Sequence, residues 1–177
     1  MGFSDRRLLS VHALVMISLL SAFALALTAL ESMFPPVVPI PGVKLGLANI
    51  VTLVSFSLIK KRQVFLVVLI RLIMTGLILG TFLAPVFWIS CGGGLLSFLV
   101  MAVFRGQRLI SIVGVSLAGA ASHNIGQLIA VSFLFDNMGV FFFLPWLLLW
   151  SVPMGLFTGF AARLTISALH IAERQSS

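Results

Sequence analysis

The chain has 177 residues, of which 60% are apolar and only 8% charged. A soluble domain carries about 25% charged residues, and a water-soluble globule of this length could not hide so much apolar surface. This argues against a solvent-exposed enzyme, a nucleic-acid-binding domain or a disordered chain. The formal charge of +7, from 11 Lys+Arg against 4 Asp+Glu, sits between the apolar runs, where cytoplasmic loops would meet an anionic leaflet.

Breaking the sequence at charges, proline and glycine predicts six membrane spans in a single transmembrane domain covering residues 1–177: Leu8–Ser32, Leu45–Ile59, Val64–Leu83, Val86–Phe104, Leu109–Phe135 and Val140–Leu169. The first follows Arg6 and Arg7. Its apolar run is about twice that of a secretory leader, so it reads as a retained helix. Ser18, Ala22 and Ala26 recur along it at four-residue spacing. Such a stripe serves close internal packing or the docking of a partner helix.

Between the first two spans lies Glu31-Ser-Met-Phe-Pro-Pro-Val-Val-Pro-Ile-Pro-Gly-Val-Lys44. Pro35, Pro36, Pro39 and Pro41 exclude helix and favour a stiff, extended segment. Because the segment is also apolar, it is either a lid packed over the helix ends or a rigid connector at the headgroups. Lys44 and Asn49 open the short second span, with Asn49 about 7 Å below Lys44.

Lys60, Lys61 and Arg62 precede the third span, and Arg71 lies about 13 Å further along it. That is too deep for the side chain to reach the headgroups, so Arg71 should face the bundle interior. It either holds an anionic substrate group through bidentate hydrogen bonds or pairs with Glu31. Thr75 shares its face. Ser90-Cys91-Gly92-Gly93-Gly94 opens the fourth span and permits a kink or a very close approach, packing being the expected use. Cys91 is the only cysteine, so no intrachain disulfide can form.

Arg105 and Arg108 precede the fifth span, where Ser116, Ala120, His123 and Gln127 fall on one face with Asn124 beside it. His123 lies about 22 Å beyond Arg108. His123, Asn124 and Gln127 offer donors and acceptors to a polar ligand, or bond neighbouring helices. Gly76-xxx-Gly80 and Gly155-xxx-Gly159 are further close-packing stripes. Trp88 and Trp146 read as aromatic-belt anchors.

The basic loops alternate with loops carrying little or no positive charge, so the positive-inside rule places both termini in the cytoplasm. Glu31, Lys44, Asn49, His123, Asn124 and Gln127 then map to the outer half, with Arg71 near mid-depth. Several chemistries find no support. There is no Gly-x4-Gly-Lys-Ser/Thr phosphate loop. Asp5 and Asp136 are the only aspartates, too few for a paired-Asp magnesium site. No nucleophile–His–acid triad or metal-ligand set is evident, so no catalytic residue, metal or cofactor is expected.

Glu31-Ser-Met-Phe-Pro-Pro-Val-Val-Pro-Ile-Pro-Gly-Val-Lys-Leu-Gly-Leu-Ala-Asn-Ile-Val-Thr-Leu53 resembles the signature of the Gx transporter family, also called heptaprenyl diphosphate synthase component I. Gly119-Ala-Ala-Ser-His-Asn-Ile-Gly-Gln-Leu128 is a second, shorter match. The family is similar to the substrate-binding S components of energy-coupling factor transporters. The resemblance implies an all-α, six-helix protein of the bacterial cytoplasmic membrane that binds a vitamin-like molecule from outside. A separate transmembrane coupling protein and cytoplasmic ATPases would drive release. It also implies docking of the coupling protein on an Ala-xxx-Ala stripe of the first helix, matched by Ala22 and Ala26, and a substrate site in the outer half beneath the first loop. The alternative is a membrane accessory subunit of a heptaprenyl diphosphate synthase or quinone-precursor pathway. The aspartate-rich motifs of the catalytic subunit are absent.

Overall fold

The computed structural model describes residues 10–33, 46–107 and 109–176. The described residues form six α-helices and no strand: α1 (Val11–Ser32), α2 (Asn49–Leu58), α3 (Lys61–Ile78), α4 (Pro85–Phe104), α5 (Ile112–Phe135) and α6 (Leu144–Ser176). A 3-10 turn, Met138–Phe143, leads into α6. Lys44, Arg108 and the Pro35–Pro41 stretch lie outside the described residues, and so do the expectations placed on them.

Local chemistry accounts for the helix ends. Ser10 caps α1 by accepting from the Ala13 amide at 3.2 Å, and Ser111 caps α5 by accepting from Gly114 at 3.1 Å. Pro85 starts α4 in the first turn, where its missing N–H costs nothing. The third helix stops at Ile78 rather than running to Leu83. Gly80, at φ +66°, takes the left-handed turn, and the Thr81 amide reaches back to the Gly76 carbonyl at 2.8 Å. This is the glycine-terminated Schellman arrangement. Gly80 is therefore a helix stop, not the second half of a packing stripe.

α4 and α5 make the most extensive helix pair, α5 packs next on α6, and α1 leans on α3. The glycine stripe of α6 is a crossing point. A Cβ on Gly155 would lie 2.9 Å from the Leu117 Cα, and one on Gly159 2.9 Å from the Val113 Cα. Ser116 and Thr158 bridge the same two helices through a 2.7 Å hydrogen bond.

The outside of the bundle is oily. Val11, Phe133, Phe142 and Leu164 are each more than two-thirds exposed. Four stretches are long and apolar enough to cross a bilayer: α1, α4, α5 and Met138–Leu169. The chain is thus a multi-pass membrane protein. The six spans expected from sequence are not all of that kind. α2 has ten residues, about 15 Å of helix, and α3 carries Lys61, Arg62 and Arg71 within 18 residues.

Candidate functional site

The cavity that gathers polar side chains lies at the end of the bundle opposite the basic turns around Lys60 and Arg105. It is lined by the C-terminal ends of α1 and α3, the segment entering α2, the start of α4 and the middle of α5. Glu31, Arg71, His123 and Gln127 all border it, with Thr28, Thr75 and Ser90 as further polar neighbours and Leu72, Leu79 and Phe87 as an apolar wall. Its volume is about 40 Å³, room for a few waters.

Glu31 is buried at the end of α1 and anchors the chain entering α2. Its Oε1 accepts from the Gly46 amide at 2.6 Å and its Oε2 from the Leu47 amide at 3.2 Å. The carboxylate thereby occupies two N–H groups just ahead of a helix, where backbone donors lack intrahelical partners. Gly46 makes the arrangement possible. Its φ of +83° suits glycine, and a Cβ there would meet the Asn49 amide nitrogen at 3.0 Å and the His123 ring at 3.4 Å. Gly46 is a site-building residue that the charge-and-polarity reading of the sequence passed over.

Arg71 retains 4% of its exposure. Glu31 lies near enough to Arg71 for its charge to act on the guanidinium, and the Arg71 Nε has no hydrogen-bond partner among the described residues. Thr75, one turn further along α3, is in the same state: buried, with no partner for Oγ1 among the described residues. Donors buried in hydrocarbon are costly unless used.

Gln127 and His123 reach the cavity because α4 is bare where they cross it. A Cβ on Gly93 would lie 2.7 Å from the Gln127 Cγ and 3.0 Å from the His123 Cε1, and one on Gly94 2.9 Å from Arg71 Nη2. The glycine run thus does more than pack helices. It vacates the space in which three of the site's polar side chains lie.

The remaining sequence candidates separate. Asn49 is buried beside Gly46, its Nδ2 without a hydrogen-bond partner among the described residues, and does not line the cavity. Asn124 faces the other way, donating from Nδ2 to the Leu147 carbonyl of α6 at 2.9 Å. Asn124→Ala is expected to lower the stability of the detergent-solubilised protein by about 1 kcal/mol in thermal unfolding, and to leave ligand retention unchanged. Ala22 and Ala26 lie exposed on α1, bordering a groove shared with α3.

Residues 20–165 match the sequence pattern of the family described as heptaprenyl diphosphate synthase component I. No curated protein and no solved structure matches the chain.

Proposed function

The chain belongs to the heptaprenyl diphosphate synthase component I family, and from that premise we propose that it is the substrate-capture subunit of a membrane transporter, acting as energy-coupling factor S components do. In this reading six helices cross the bacterial cytoplasmic membrane with both termini inside, α2 and α3 completing the bundle. A small vitamin-like or precursor molecule is taken from outside, and a separate transmembrane coupling protein and cytoplasmic ATPases drive its release. The chain itself performs no covalent chemistry.

One observation carries the reading: Glu31, Arg71, His123 and Gln127, from three different helices, border one cavity far from the basic turns. Arg71 supplies charge and donors to the ligand, and His123 and Gln127 fix its orientation. Glu31 holds the rim in place. Asn49 supports the His123 side of the cavity, Lys44 adds positive charge at the mouth, and the proline-rich loop closes it. Asn124 bears on the site only through its hold on α6. Ala22 and Ala26, exposed on α1, form the face for the coupling protein.

At about 40 Å³ the cavity is well below the roughly 300–1,000 Å³ of ordinary ligand pockets. Capture therefore requires the helices to part, and the state described here is the closed one.

The family's name favours a second reading, a membrane accessory subunit of a prenyl diphosphate synthase. Affinity purification from mildly solubilised native membranes separates the two. Recovery of a coupling protein with its ATPases supports the transporter subunit. Recovery of a soluble, aspartate-rich synthase, without ATPases, overturns it in favour of the accessory subunit.

A further inference from the structure

Thr75 and Leu79 each border two spaces. Inside the bundle they line the polar cavity; outside it they line an apolar groove of about 280 Å³ completed by Ala22, Leu25, Ala26, Ala29 and Ile78. α1 is two-sided at the same level, with Thr28 and Glu31 on the cavity and its alanines on the groove. The seam between α1 and α3 is thus the wall between a polar chamber and the lipid.

The wall is not chemically finished. Thr28 satisfies its hydroxyl by donating to the Ala24 carbonyl at 2.8 Å, as helical threonines commonly do. Thr75, 9% exposed, leaves its Oγ1 without a partner among the described residues, and so does Nε of Arg71 one turn before it. These two donors await an acceptor at the seam. Leu79, the last side chain of the wall, sits at the C-cap of α3 beside Gly80, around whose missing side chain nothing lies within 4 Å. It has room to swing aside. The polar chamber alone is too small for a ligand, but chamber and groove together reach the lower end of the usual pocket range of roughly 300–1,000 Å³.

Resting on the capture reading above, we propose that the ligand is a single-chain amphiphile whose head hydrogen-bonds Arg71 and Thr75 and whose apolar chain passes Leu79, between α1 and α3, into the groove. The head carries oxygen acceptors and at most one negative charge. Among the described residues, the full charges at the chamber are those of Arg71 and Glu31, which offset each other. A diphosphate head would bring charge that these side chains cannot neutralise in a medium where unpaired charge is costly. A carboxylate or a carbonyl-bearing head fits. The groove cannot hold a ligand chain and a partner helix together, so docking on Ala22 and Ala26 would expel the chain.

The test uses the full chain in lipid nanodiscs and a palmitate analogue with a photoreactive diazirine at mid-chain, the label being mapped by peptide mass spectrometry. Label is expected on the 22–29 and 75–79 stretches, falling at least about fivefold in both Arg71→Gln and Thr75→Val, the effect of losing one hydrogen bond. The same chain on a trimethylammonium head should label only at background. Equal labelling by both heads, or labelling that survives in Arg71→Gln, means ordinary lipid contact and overturns the amphiphile. A parallel measurement keeps the two readings apart. If the purified protein retains a water-soluble molecule that Arg71→Gln loses and the groove-filling Ala29→Leu keeps, the capture site stands and the amphiphile falls. If neither that molecule nor the probe depends on Arg71, both fall.

Discussion

Arg71→Met is expected to leave a folded bundle that no longer retains ligand, with affinity lower by about 10- to 150-fold, the loss of a charged hydrogen bond of roughly 1.5–3 kcal/mol. Removing one member of a buried ion pair commonly costs about 3–5 kcal/mol, because the partner is left charged and unpaired. Here that penalty should be smaller. Glu31 keeps the Gly46 and Leu47 amides whatever stands at position 71, so its carboxylate is not stranded. Methionine also fills nearly the volume of the arginine stem. Arg71→Lys is the informative companion. It preserves the charge but loses the Nε donor and the planar fork, so it should recover stability fully and binding only in part. Thermal unfolding and mass spectrometry of retained small molecules, run on the same preparations, read both quantities. Ligand retention unchanged in Arg71→Met, with a lowered melting temperature, would make Arg71 a structural partner of Glu31 and remove the main support for the capture site.

Much of this site was legible from the sequence because the membrane simplifies the reading. An arginine nine residues past a basic turn cannot reach water, so its burial followed from helix rise alone. His123 and Gln127 shared one face of the fifth span for reasons of periodicity. Three features were hidden for physical reasons. Asn124 neighbours His123 in sequence, but the roughly 100° step per residue aims it at α6, and no periodicity argument says which neighbour a helix face meets. Glu31 was expected to seek a cation; it also satisfies backbone amides, donors that every residue carries and that leave no mark in composition. The third is the glycine run of α4. Its importance lies in what surrounds it, and absence of a side chain reveals nothing about the neighbour that needs the space. The third span reads on to Leu83 because apolar character continues past the helix end, whereas the chain stops α3 with Gly80 and Thr81.

Gly126→Ala is expected to be the most damaging single methyl in the protein. Gly92 and Gly126 face each other where α4 crosses α5: a Cβ on Gly92 would sit 2.6 Å from the Gly126 carbonyl oxygen and 2.9 Å from the Ala130 Cβ. A Cβ on Gly126 would press on the Gly92 carbonyl oxygen more closely still, and on the Leu96 Cβ at 3.0 Å. The obstructing atoms are backbone, which cannot turn aside as a side chain can, so the helices themselves must separate. This is the most extensive helix pair in the bundle, and overpacking of this kind costs about 3 kcal/mol or more. Separation also lifts Gln127 and His123 off Gly93, so ligand retention should fall with stability. Gly94→Ala should behave differently. Its Cβ would meet Arg71 Nη2 at 2.9 Å, the far end of a flexible side chain, so the fold yields cheaply while the guanidinium is displaced from the cavity. Stability near wild type with weakened ligand retention is the expected signature. Gly80→Ala serves as the control, strained by its φ of +66° yet surrounded by open space. It should lose about 1 kcal/mol and no binding. Binding losses that simply follow the stability losses across the three variants would mean that Gly94 and Gly126 act only through global stability, not by making room for the site.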